Sequence, residues 1–293
     1  MSKADLKISD QQLEELIHTY CNDFTKNARA GRYDPIHGRD EELVQSILIL
    51  LQKGRKNIMY QAPAGVGKTA MCVALAQSIV KGDVPDLLKD AHVLEVDLAS
   101  MSAGTAGAAE MQARFLPLVK GVAERYRLRG DYPRYILFMD EIHQIMPTCE
   151  NSGYRGLSEV MKPYLTAGDI YVIGATTEDE YRQYVAVDPA MDRRFQKIYL
   201  EIPDDAGTVE ILKAIKKGYE AHHGLDIPEE ICDLVVKLTS KHMRKRNQPD
   251  KSITTLDAAC AKHVLDHGPG GDLSEGAVKY IVSAETGINA NAL

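Results

Sequence analysis

Apolar residues recur along this chain in two rhythms. At Leu13, Leu16, Ile17, Tyr20 and Phe24 they fall three or four positions apart, the spacing that lines one face of a helix. The pattern therefore predicts one amphipathic helix from Asp10 to Ala30, opened by a Ser9 cap with Gln12 three positions on and closed by Gly31. A second helix, rich in large aliphatics, is expected over Glu41 to Leu51. Elsewhere the periodicity gives way to short apolar runs: Ile58 to Tyr60, Val93 to Leu98, Tyr135 to Met139, Ile170 to Ala175 and Lys197 to Ile202. Such runs suit strands buried on both faces of a parallel sheet. Helical stretches separate them, at Ala70 to Ile79 and at Glu110 to Arg129, the latter containing Pro117. Ala99 to Ala109 is nearly all small residues, and Gly104 and Gly107 favour a loop there. After Pro203 to Asp205 the strands stop, and four helical patterns follow: Thr208 to Ala221, Glu229 to Arg244, Thr254 to Asp266 and Ser274 to Ala284.

Strands alternating with helices, then helices alone, describe an α/β fold: a parallel sheet flanked by helices on both faces, followed by a small all-helical lid. The expected division is a helical lead-in over 1–30, a large α/β domain over 31–203 and a small helical domain over 204–293.

Composition narrows the class without naming a function. With 293 residues, 44% hydrophobic and 26% charged, the chain can bury more than one core. A net charge of −7 supplies no global field for nucleic acid or an anionic membrane. Cys21, Cys72, Cys149, Cys232 and Cys260 form no C-x-x-C pair and are expected to be reduced. No signal-like or membrane-spanning apolar stretch is present, so a cytoplasmic protein without membrane insertion is expected.

The chemistry starts where the first apolar run breaks, in N-I-M-Y-Q-A-P-A-G-V-G-K-T-A-M-C from Asn57. Strand, small-residue loop and helix in that order make a phosphate-binding loop, whose backbone N–H groups surround an anion at a helix N-terminus. Ala64, Gly65, Val66, Gly67, Lys68, Thr69 and Ala70 form this candidate nucleotide cradle. Lys68 would reach the β- and γ-phosphates of ATP, and Thr69 would offer its hydroxyl to Mg²⁺. The pattern G-x-x-x-x-G-K-[ST] is met except at its first position, where Ala62 stands for glycine. A later apolar run delivers Asp140 and Glu141 at its end. In a nucleotide hydrolysis site, Asp140 would hold Mg²⁺ through water and Glu141 would deprotonate the attacking water. Ile170 to Ala175 similarly ends in Thr176 and Thr177, hydroxyls at a strand's C-terminal edge.

With these motifs the chain, from about Tyr20 to Ile288, resembles the first ATPase module of Clp-family AAA+ unfoldases and disaggregases. The resemblance rests on D-P-I-H-G-R-D-E-E from Asp34, G-V-G-K-T-A from Gly65, I-L-F-M-D-E-I-H from Ile136 and G-A-T-T-E-D-E-Y-R-Q-Y from Gly174. It extends through M-D-R-R-F-Q-K from Met191, Y-E-A-H-H-G from Tyr219 and P-D-K-S-I from Pro249. It implies an AAA+ P-loop fold in which Ile36 and His37 hold the adenine, helped by Ile211 and Ile215 of the lid. It further implies that Thr177 senses the γ-phosphate, and that Arg193 and Arg194 are fingers given to a neighbouring subunit. Fingers given in trans imply a ring, so a homohexamer acting on a protein substrate or within a multiprotein machine is expected. His143, His222 and His223 also match the family and are expected to be structural.

Three departures qualify that expectation. Gly107 stands where the family carries the aromatic residue that grips substrate polypeptide, and Tyr154 is a substitute of weaker claim. The family's N-terminal domain, coiled-coil insertion and second ATPase ring have no counterpart in these residues, although Ile281 to Asn289 resembles the linker to that second ring. The third is Ala62. Three functions follow: an ATP-driven remodeller of proteins, a regulatory or scaffolding ring timed by nucleotide, and, ranked last, a DNA remodeller motivated only by the basic cluster Lys241 to Arg246.

Overall fold

The apolar runs become strands of one sheet. The computed structural model describes residues 7–128, 130 and 134–293, so the expected helix end at Arg129 lies outside the described residues. In chain order the elements are α1 (Asp10–Tyr20), β1 (Cys21–Asp23), α2 (Phe24–Arg29), α3 (Asp40–Leu50), β2 (Asn57–Gln61), α4 (Lys68–Lys81) and β3 (His92–Val96). There follow α5 (Leu98–Ser102), α6 (Ala108–Leu128), β4 (Tyr135–Met139), α7 (Leu157–Ala167), β5 (Tyr171–Thr176), α8 (Glu178–Glu180), α9 (Pro189–Asp192) and β6 (Phe195–Tyr199). Four long helices complete the chain: α10 (Asp205–His223), α11 (Glu229–His242), α12 (Asp250–His267) and α13 (Glu275–Thr286).

The described strands lie in the order β1-β3-β4-β5-β2-β6, parallel except where β1 pairs antiparallel with β3 at the edge. Every residue of β2, β4 and β5 is buried, as expected of central strands covered on both faces. Their register sets Met139 beside Gly174 and Gln61 beside Thr176, so the C-terminal ends of β4, β5 and β2 lie together. In open α/β sheets that edge is where ligands sit. Gly174 allows the turn after β4 to close on the sheet: a Cβ there would lie 2.7 Å from Ile142 Cδ1 and 3.1 Å from Met59 Sδ.

The chain divides into two compact units. The first gathers the described chain through Tyr33 with Glu41–Gln61 and Thr69–Tyr199, around a core that includes Phe115, Leu137, Val172 and Phe195. The second gathers Asp34–Asp40, Ala62–Lys68 and Leu200–Leu293, around Leu212, Val235, Leu256 and Val278.

The structure corrects three expectations. The single lead-in helix is broken, because Cys21–Asp23 extends to pair with Leu94–Val96 and the Asp23 carboxylate then accepts the Lys26 N–H to start α2. The small-residue loop contains α5, capped by Asp97, which accepts the Ser100 N–H. The last strand ends at Tyr199, not Ile202, since its partner β2 ends at Gln61 where the phosphate loop begins. The Ser9 cap stands as expected, with a reciprocal bond between Gln12 and the Ser9 backbone. Among the described residues, no helix is long and apolar enough to cross a membrane.

Candidate active site

The loop that leaves β2 is shaped by its glycines and braced through its carbonyls. Gly65 and Gly67 hold φ of +79° and +107°, left-handed values that cost a residue with a side chain. Lys68 Nζ, buried, donates to the Ala62 carbonyl at 3.1 Å and to that of Pro63 at 3.4 Å. Arg39 donates to the Val66 carbonyl at 3.0 Å and to that of Glu201 at 2.9 Å, and the Asn247 amide donates to the Ala64 carbonyl at 3.0 Å. Side chains thus take the carbonyls, which suits a loop whose N–H groups serve phosphate. Ala62 is buried and its carbonyl receives Lys68, so alanine fits there.

Thr69 follows the loop, and its Oγ1 lies 3.5 Å from Asp140 Oδ2, a hydroxyl and a carboxylate facing one another as ligands of a hard cation do. These donors fit Mg²⁺: both are oxygens, and Lys68 is adjacent in sequence to balance phosphate charge. Ala70 is half-buried in the first turn of α4. Glu141 is the one non-glycine residue with positive φ among those described, at φ 48° and ψ 44°. Strained backbone of this kind marks positions where a side chain must be aimed. The Glu141 N–H donates to Asp140 Oδ1 at 2.9 Å, fixing the Asp140 carboxylate against the Glu141 backbone. A cavity of about 450 Å³ opens beside them, lined in part by Cys21, Glu95, Asp97 and Tyr154. Burial, reinforced by the charges of Asp140 and Asp97 against the bond from Asn22, raises the Glu95 carboxyl above its ordinary range. Burial pushes the Cys21 thiol up to about 12, so it is no nucleophile. Tyr154 packs against the core of the first unit.

At the end of β5 two hydroxyls divide the work. Thr177, the expected sensor, caps α8: its Oγ1 donates to Glu180 Oε2 at 2.7 Å and its N–H to the same oxygen at 3.0 Å. Thr176 is buried and lies 3.0 Å from His143 Nδ1. Burial favours a protonated Glu180, but bonds from the Thr177 N–H and hydroxyl, attraction to His143 and the Thr176 hydroxyl outweigh it and hold the carboxyl below its usual range.

Arg193 is exposed just past α9, while Arg194 is half-buried, with its carbonyl accepting from Asn57 Nδ2 at 3.3 Å. The preceding Asp192 is held by the Tyr181 hydroxyl and by Lys197. In the second unit, Ile36 is half-buried and His37 exposed on a segment that runs along α10. A Cβ at Gly38 would lie 3.8 Å from Ile211 Cγ1, and one at Gly218 would lie 2.5 Å from Asp34 Oδ1. Ile211 and Ile215 are half-buried on that helix, Ile215 packing against the lid core. Sequence reasoning missed Arg39 and Asn247, and named Thr176 only as a hydroxyl at the strand's edge. Arg39 and Asn247 lay inside or beside quoted motifs, but only folding brings them to the carbonyls they hold.

Residues 58–201 match the family described as "ATPase family associated with various cellular activities (AAA)", and residues 204–278 match the AAA lid domain. The ATP-dependent Clp protease ATP-binding subunit ClpL of Staphylococcus aureus strain USA300 is 38% identical over 254 residues, covering 86% of this chain and 35% of that protein. Its counterpart in strain MRSA252 is 38% identical over 248 residues, 84% of this chain and 34% of its own length. The solved Saccharomyces cerevisiae Hsp104–casein complex in its extended conformation has a TM-score of 0.81 at 32% identity, over 93% of this chain and 46% of that one. The yeast Hsp104–ADP complex gives 0.80 at 32% identity, over 93% and 45%. Phosphate loop, acidic strand end and helical lid define an AAA+ P-loop ATPase. The chain belongs to the Clp family of these, as an ATPase module that spans about a third of the length of the curated relatives it matches.

Proposed function

We propose that this module hydrolyses ATP in a homo-oligomeric ring, a hexamer, and uses the cycle to remodel a protein partner or assembly. The observation that supports it best is the 3.5 Å approach of Thr69 Oγ1 to Asp140 Oδ2, with Glu141 aimed by a left-handed backbone one residue on. In this reading the N–H groups over Ala64 to Ala70 bind the phosphates, Lys68 neutralises them, and Ile36, His37, Ile211 and Ile215 hold the adenine. Glu141 takes the proton of the attacking water, while Thr177, with Thr176 beside it, reports the γ-phosphate. Mg²⁺, held by Thr69 and Asp140, would supply charge neutralisation at the phosphates. Arg193 and Arg194 serve the site of the neighbouring copy. A protein target is favoured by the likeness to ClpL and to yeast Hsp104, the latter solved with casein. The acidic charge weighs against nucleic acid, and Arg246 is engaged with Asp250 at 2.9 Å and Glu285 at 3.5 Å.

A second reading, a regulatory ring whose nucleotide state sets assembly, is favoured by one observation: Gly107 is exposed and presents no side chain to grip a polypeptide. The test common to both is Glu141→Gln. Turnover should fall by roughly 10²- to 10⁴-fold while ATP still binds; undiminished turnover removes Glu141 as the base. Affinity isolation of that variant with ATP, read by mass spectrometry, narrows the choice: a broad set of unfolded proteins supports a general remodeller, and one partner at fixed ratio a dedicated motor or a regulatory ring.

A further inference from the structure

Behind Glu141 lies a wired set of side chains in which the hydrolysis scheme leaves His143 and Glu180 unused. His143 is buried, its ring stacked on Tyr184 with centroids 5.7 Å apart and planes at 22°. Its Nδ1 lies 3.0 Å from Thr176 Oγ1, 3.4 Å from Glu180 Oε2 and 3.6 Å from Glu141 Oε2. Proton bookkeeping fixes the direction of these contacts. Glu180 Oε2 accepts from the Thr177 N–H, the Thr177 hydroxyl and the Thr176 hydroxyl, the last at 3.1 Å. A hydroxyl has one proton, so Thr176, having given its own to Glu180, accepts from His143. The Nδ1 nitrogen therefore carries a hydrogen, and Glu141 lies on the same side of the ring.

We propose that His143 is the positioning residue for the general base: its Nδ1–H, bonded to Thr176, also faces Glu141 Oε2 at 3.6 Å, beyond hydrogen-bond reach, and attracts that carboxylate electrostatically towards the end of β5. The proposal rests on the reading of Glu141 as base. Backbone strain aims the Glu141 side chain but does not choose its rotamer, and 42% of that side chain is exposed. An N–H fixed by Thr176 beside that carboxylate biases the choice. The same network reaches the Arg193 segment: Glu180 completes the capping box of the short helix α8, and the chain continues through a π-helical turn, Tyr181–Val185, towards α9. Base and finger segment thereby share one scaffold.

The test is steady-state ATPase kinetics with fluorescent-nucleotide binding and thermal melting, on the unchanged protein, His143→Phe, His143→Asn, Thr176→Val, Glu141→Gln and the Glu141→Gln/His143→Phe pair. His143→Phe keeps an aromatic ring against Tyr184 and removes the N–H. It should lower kcat by roughly 10- to 100-fold, with KM and nucleotide affinity within about 2-fold, because a small misplacement of a reacting group costs that much. An asparagine amide can place an N–H near the Nδ1 position, so His143→Asn should recover to within about 3-fold of the unchanged protein. Thr176→Val should fall between, and the double variant should be no slower than Glu141→Gln alone, since both act through one group. Unchanged kcat in His143→Phe, equal impairment of the phenylalanine and asparagine variants, or additive losses in the pair overturn the proposal. Undiminished turnover in Glu141→Gln overturns the base assignment itself, and the proposal with it.

Discussion

Gly65 shows how tightly single residues set the phosphate loop. A Cβ there would lie 2.9 Å from the Asp250 Cβ, on a backbone already at φ +79°. Neither strain can be relieved without moving the loop or the turn that carries Asp250. Gly65→Ala should weaken ATP binding by roughly 5- to 30-fold, the equivalent of a left-handed penalty of about 1–2 kcal/mol. Titration with a fluorescent nucleotide checks this, and unchanged affinity would contradict it. Lys68, Thr69, Asp140 and Glu141 could be picked out as candidates in sequence because the motifs that carry them are set by spacing along the chain. Arg39 and Asn247 could not, because they act on partners 27 and 183 positions away; Thr176 could be placed at the strand's edge, but not against His143, 33 positions away.

Among elements, the edge strand β1 was the least legible and is the most testable. Its three residues, Cys21-Asn22-Asp23, lack the apolar run of a strand, and the helical periodicity continues across them from Tyr20 to Phe24. Pairing with β3 overrides local preference there. By contrast β2, β4 and β5 were visible as unbroken apolar runs, since burial on both faces leaves that mark. Asp23 secures the junction. Burial pushes its carboxyl up, but the bond with His92, at 2.8 Å, and the Lys26 N–H outweigh that and leave its pKa lowered from 3.8. A carboxyl lowered on folding stabilises the native state fully above its unfolded pKa, and that contribution fades as pH falls through the folded value. Asp23→Asn keeps the cap, since an amide oxygen also accepts the Lys26 N–H, but removes the charge facing His92, and should therefore cost about 1 kcal/mol at neutral pH, the scale of one hydrogen bond. The gap to the unchanged protein should close as pH drops well below 3.8. Urea melts at neutral and acidic pH read this directly, and a gap that persists in acid would contradict it.

At the scale of the whole molecule, the proposed hydrolysis needs a base from one copy and an arginine from the next. The isolated chain shows Arg193 exposed beyond α9, on a segment anchored by Asp192 and Tyr181, as a residue offered outward would be. A glycine at 107 leaves the ATPase chemistry intact on this account and alters only what the ring can hold. The most direct measurement is ATPase complementation. The Glu141→Gln protein and an Arg193→Ala/Arg194→Ala protein are assayed alone and then mixed in equal amounts with time to exchange subunits. Each alone should be nearly inactive. The mixture should recover about a quarter of the unchanged rate, because one in four randomly formed sites then joins an intact Glu141 to a neighbour with intact arginines. A mixture no more active than its two parts would contradict a site shared between copies.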